Sequence, residues 1–207
     1  MAARAVPAMV MMALACALLP AASRTAGQPP ARTTAVDASL LAKANAGDPA
    51  TEVKVGESYV QAAAAEQFRA RMASDYQQAA AWYRKAADQN YIDGELHLAA
   101  LYLDGGEGFP RDPAQAAAWY RKAADQGDVG AQGTLGMLYT LGLGVPQSDV
   151  DAYFWLDLAA SVKGPNQARY AANRQNVGTR ITADQLQDVQ ERVAAWQAAH
   201  PRPGAAQ

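Results

Sequence analysis

Few residues in this chain combine a reactive type with a spacing that chemistry needs. There are two histidines, His97 and His200, and one cysteine, Cys16. His200 stands near the C-terminus, and His97 precedes Leu98 in a helical stretch where the equivalent positions are Lys54 and Thr134. A metal site needs several clustered ligands; neither histidine has them, and no His-Glu-x-x-His or cysteine pair occurs. The carboxylates Asp104, Glu107, Asp112 and Asp125 fall at expected helix ends, where capping and dipole effects account for them. Glycine-rich turns at 105–108 and 142–144 lack the lysine of a phosphate-binding loop and follow helices rather than strands. No Ser-His-Asp arrangement can be assembled, so the expectation is a protein that is not an enzyme, with no cofactor and no metal.

What remains is a set of residues repeated along the chain. The twelve letters QAAAWYRKAADQ run from Gln78 to Gln89 and return at Gln115 to Gln126. A degenerate third copy, DAYFWLDLAA, spans Asp151 to Ala160. Trp82, Trp119 and Trp155 stand 37 and 36 residues apart, a period typical of solenoids built from pairs of helices. Before each copy lies a first helix: Asp48 to Tyr59, Tyr91 to Tyr102 and Asp128 to Tyr139. These align without gaps. Val55, Leu98 and Leu135 supply an apolar knob. Gly56, Ala99 and Gly136 follow, small enough for close backbone approach, and Tyr59, Tyr102 and Tyr139 lie on the same helical face. Mid-helix glycine costs about 1 kcal/mol against alanine, so the pattern is one of packing. The tryptophans and tyrosines are read as core for the same reason.

Gly142 and Gly144 permit positive φ in the third helix-to-helix turn, and Ser148 or Asp149 caps the helix after it. The second repeat has a similar turn ending in Asp112-Pro113, a cap followed by proline in the first turn. Asn90 and Gly127 suit left-handed helix ends. The first repeat differs. Val60 to Ser74 contains no glycine, so the first helix is expected to run past Tyr59, with Ser74 or Asp75 capping the next. Arg84, Lys85, Arg121 and Lys122 are placed on the solvent side.

The motif Tyr-x-x-Gly-x-Gly-Val at Tyr139 to Val145, followed by Ala-x-x-Trp-Tyr-x-Lys-Ala-Ala-x-Gln-Gly as at Ala116 to Gly127, resembles the Sel1-like repeat, a relative of the tetratricopeptide repeat. The resemblance covers about Gly47 to Ser161. Departures are the glycine-free stretch in repeat one, Ala99 where glycine is usual, and Leu156, Asp157 and Leu158 in place of Tyr, Arg and Lys. It implies an all-α, right-handed solenoid of helix-turn-helix repeats with helical caps at both ends. It also implies work by binding: first helices in such arrays line a concave surface. Glu95, His97, Gln132, Thr134 and Met137 occupy non-consensus positions there and are the candidate partner contacts, with Val60 to Ser74 a second candidate.

The rest of the chain frames these repeats. Of 207 residues, 50% are hydrophobic but only 8% aromatic, a balance weighted towards alanine and closely packed helices. Residues 1–26 read as a signal peptide: Arg4, the apolar run Ala5 to Leu19, Pro20, then small residues. The apolar run is short for a membrane span, so no stable membrane insertion is expected after cleavage. Cys16 lies inside that run and makes a poor lipidation signal. Removing Arg4 and Arg24 from the 18 basic residues leaves 16 against 20 acidic ones, which argues against nucleic acid as partner. Residues 27–35 read as a flexible linker and 36–46 as an N-terminal cap helix. Repeats are assigned to 47–90, 91–127 and 128–161. Residues 165–199 read as C-terminal capping helices, with a capping box at Thr182 to Gln185 and an apolar stripe of Leu186, Val189, Val193 and Trp196. Residues 200–207 read as a tail. The expectation is an exported protein, periplasmic and monomeric, that acts as an adaptor for an envelope or secreted protein. By resemblance, two other readings stay open: a hydrolase of the cysteine-rich β-lactam-acting type, which the missing cysteine pairs weaken, and a structural cell-wall component.

Overall fold

A computed structural model describes residues 36–65 and 69–201. The signal and linker segments and Cys16 lie outside the described residues, as does the tail from Arg202. The described residues form α1 (Ala38–Asn45), α2 (Pro49–Ala65), α3 (Arg69–Asp88), α4 (Ile92–Asp104), α5 (Pro113–Asp125), α6 (Val129–Leu141), α7 (Asp149–Ala160), α8 (Gln167–Gly178) and α9 (Ala183–Ala199). Each of α1 to α8 packs on its sequence neighbour, and α2 also meets α4, as α6 meets α8. That pattern of local contact is an all-α repeat stack.

Local chemistry sets most helix ends. Side-chain oxygens of Asp37, Asp112, Asp128 and Ser148 accept from the backbone N–H groups of Ser39, Gln115, Ala131 and Asp151. Each satisfies a donor that the helix itself cannot. Thr182 and Gln185 close a reciprocal capping box at α9. Asn90, Gly127 and Gly142 take positive φ, ending α3, α5 and α6.

The glycine-free stretch corrects one expectation. Helix α2 does run past Tyr59, to Ala65, but α3 begins at Arg69, so Ser74 and Asp75 lie inside it and cap nothing. Arg69 to Ala73 are all good helix formers, and nothing in them stops a helix from starting early. The extra turn has a role in packing. Ala73 lies directly against Gly108 and Tyr76 against Gly106, so the start of α3 braces the turn between α4 and α5.

The core is a column of apolar side chains. Val55, Leu98 and Leu135 are fully buried, with Ala86, Ala87, Ala123 and Ala124 letting helices approach closely. At the N-terminal end, Leu40 and Leu41 of α1 pack with Trp82, Val55 and Tyr59. At the other end α8 and α9 both pack on α7: Tyr170 and Val177 join Ala152 and Leu156, while Val189 and Val193 join the cluster holding Leu158. Residue 200 is no loose tail. The His200 ring caps α9, stacking on Trp196 at 4.2 Å and meeting the Trp196 carbonyl at 2.8 Å.

Candidate functional site

The three first helices, α2, α4 and α6, place equivalent residues at equivalent depths. Lys54, His97 and Thr134 form one row, Glu57, Ala100 and Met137 a second, and Gln61, Asp104 and Leu141 a third. Of the five candidate contacts, this surface holds His97, Thr134 and Met137. It does not hold Glu95 and Gln132, which are 0% and 1% exposed. The correction has a clear cause. Glu95 accepts a hydrogen bond from Gln126 Nε2 at 2.7 Å, and Glu52, at the same repeat position, accepts one from Gln89 Nε2 at 2.8 Å. In the third repeat the pair changes together: Gln132 replaces the glutamate, Val162 stands where the glutamine would be, and the Gln132 amide donates to the Ala124 carbonyl at 3.2 Å. These polar groups are internal bolts.

Burial raises the Glu95 carboxyl above the usual carboxylate range, opposed by the Lys122 charge and the Gln126 bond. One of its oxygens finds no partner among the described residues. A raised pKa means that the folded state holds the proton more tightly. The stability this contributes is full below the ordinary carboxylate range and is lost as pH rises through the folded-state value. Glu95→Gln removes that dependence. The stability difference between variant and wild type should therefore shift in favour of the variant between pH 4 and pH 7, measured as urea midpoints. A difference that stays constant with pH would contradict the assignment.

Sequence reasoning also missed the job of the repeated arginines. Arg84 lies 5.1 Å over the Trp119 ring and its guanidinium reaches the Tyr102 hydroxyl at 3.4 Å. Arg121 repeats this one unit later, 4.8 Å over Trp155, donating to the Tyr139 hydroxyl at 2.6 Å. Each arginine thus clasps the following repeat through the tryptophan and tyrosine that define it. Lys85 and Lys122 lie over Trp82 and Trp119, at 3.8 and 4.0 Å. The third repeat breaks the pattern because no fourth follows: Asp157 takes the arginine position and pairs with Arg174 of α8 at 2.5 Å, and Leu158 takes the lysine position and is buried. The signal was present in the identical WYRK letters, but their partners lie in the next unit.

Among the described residues, two cavities open on the accessible face. One of about 310 Å³ is lined by Val60, Tyr76, Tyr83, His97 and Asp104, among others. The His97 ring stacks on Tyr83, 5.0 Å between centroids and 15° from parallel, and its Nε2 lies 3.4 Å from a Glu57 oxygen. The second, about 200 Å³, involves Gly133, Thr134, Met137, Arg169 and Tyr170. Gly133 is required there, since a Cβ would run into the Tyr170 ring. Met137 is 36% and Leu141 64% exposed, the large exposed apolar side chains among the described residues. No group of histidine, cysteine and carboxylate side chains that could hold a metal occurs among the described residues, and no described helix is long and apolar enough to cross a membrane.

Comparison with known proteins agrees with this architecture. The Sel1 repeat profile matches residues 61–91, 92–128 and 131–161. The first match begins inside α2, so residues 47–60, read from the sequence as the start of repeat one, lie outside it. A crystal structure of a protective antigen present in uropathogenic Escherichia coli strains, displaying an SLR fold, superposes with a TM-score of 0.64 at 29% identity, covering 78% of this chain and 32% of that one. A Sel1 repeat protein from Oxalobacter formigenes superposes at 0.53 with 26% identity, covering 67% of this chain and 96% of that one. Chitin synthase regulatory factor 3 of Schizosaccharomyces pombe is 30% identical over 102 residues, 49% of this chain and 11% of that protein. The chain therefore spans only a small part of that relative's length. Taken with the clasped tryptophans and the turn glycines, these likenesses show that the chain carries three Sel1 repeats folded as an all-α solenoid.

Proposed function

We propose that this protein is a non-catalytic scaffold of the cell envelope that binds a partner protein through its first-helix face. Sel1-repeat proteins are generally protein-interaction scaffolds, and the observation that supports this reading here is on α6. Met137 and Leu141, four residues apart, share one helical face with Thr134 and are the large apolar side chains left exposed among the described residues. The name of the fission-yeast relative describes a regulator, which is compatible with a non-catalytic role. The signal-like residues 1–26 support export to the periplasm, and a cell fractionation with a C-terminal tag tests it.

The Met137→Asp, Leu141→Asp double variant tests the binding face. Both side chains are exposed, so melting temperature is expected to stay within about 2 °C, given that surface changes are usually within about 0.5 kcal/mol. Recovery of the partner with the tagged protein is expected to fall about tenfold or more, the effect of removing an apolar anchor from an interface. Unchanged recovery with an unchanged fold would remove this face from consideration.

A further inference from the structure

The larger cavity differs in character from the rest of the first-helix face. Its walls are aromatic and apolar, with Tyr83 and His97 stacked nearly parallel, while its charge is negative. Asp104 lines it and is exposed, and Glu57 stands at its edge beside His97. Among the described residues no lysine or arginine lines it. The basic residue of the α4–α5 turn, Arg111, lies against the lining residue Gly105 with its Nε donating to the Leu103 carbonyl at 2.8 Å, and does not itself line the cavity. Asp104 is also the last residue of α4, where the negative end of the helix disfavours a carboxylate. Dipole stabilisation, expected from the sequence for this carboxylate, therefore does not account for it. One repeat further on, the equivalent rows become Thr134, Met137 and Leu141 beside Arg169, with no carboxylate in the lining. The face passes from anionic and aromatic over the second repeat to apolar over the third.

We infer that the larger cavity receives a lysine or arginine side chain from a partner protein, whose adjoining segment lays an apolar side chain over Met137. Tyr83 is buried beneath His97, so the half-buried rings of His97 and Tyr76 form the accessible wall; with the Asp104 carboxylate they supply the two features that hold a cation, a ring face and a charge. The inference rests on the first-helix face being the binding surface and adds what that surface selects.

The test is selection of a displayed random dodecapeptide library on the full-length protein, followed by affinity measurement of the winning synthetic peptide. Winners should be enriched in lysine and arginine. The best of them should bind Asp104→Asn and His97→Ala about tenfold more weakly, bind Asp104→Lys more weakly still, and bind Asp125→Asn, altered outside the cavity, as the wild type. Each variant's fold is checked by its melting temperature, and Glu57→Gln provides a second charge deletion should His97→Ala loosen the packing on Tyr83. Winners without basic enrichment that ignore Asp104 yet lose affinity for Met137→Asp would overturn the cation site and leave the binding face standing. Winners indifferent to both positions, or no winner at all, would overturn both.

Discussion

Replacing Gly144 with alanine is expected to destabilise the protein by roughly 3–5 kcal/mol. Two costs combine. The residue has φ +75°, a region where any side chain with a Cβ is strained. A Cβ built there would also press into the Pro113 carbonyl and lie 2.8 Å from the Ala114 nitrogen, and backbone atoms of a capped helix start cannot swing aside as a side chain can. The turn after the third first helix would have to move off α5, separating repeats two and three. Gly164→Ala is the matching control: nothing lies within 4 Å of its added carbon, and its φ is outside the strained range. Chemical denaturation of both variants checks this. Equal effects at the two sites would show that the turn is not a packing element.

Trp119→Ala should cost a similar amount, about 3–5 kcal/mol, the usual range for truncating a buried tryptophan. Trp119 is buried, and its ring also supports two cations: Arg84 from the preceding repeat and Lys122 from its own helix. Its loss leaves a cavity and releases the clasp between repeats one and two. Trp196→Ala, on a half-buried ring at the end of α9, should cost clearly less. If the two variants lost equal stability, the tryptophans would not be the joints of the stack.

Much of this architecture can be read from the letters alone, for identifiable reasons. Duplicated segments and turn glycines carry local information: a glycine two residues after another, a cap before proline, a tryptophan every 37 or 36 residues. The start of α3 was not legible, because Arg69 to Ala73 contain no residue that opposes a helix and the bracing contact with Gly108 is made by tertiary packing. The site was only partly legible. Glu95 and Gln132 stand at positions outside the repeat consensus, as binding residues would, yet they are buried. Their partners, Gln126 and the Ala124 carbonyl, sit in the second helix where their letters belong to the invariant repeat and attract no notice. His97, Thr134 and Met137 vary for the other reason, that packing does not hold them in the interior. Variation along a repeat therefore marks two different things, and only burial separates them.

The most direct test of the central claim, that the first-helix face engages a partner, is position-specific photo-crosslinking in the native cells. A photoreactive phenylalanine analogue is placed in turn at Met137 and Ala100 on the first helices, and at Ala118 and Ala194, exposed on α5 and α9. The account predicts a discrete heavier adduct from Met137 and Ala100, identifiable by mass spectrometry, and none from Ala118 or Ala194. The same adduct from all four positions, or adducts only from Ala118 and Ala194, would contradict it.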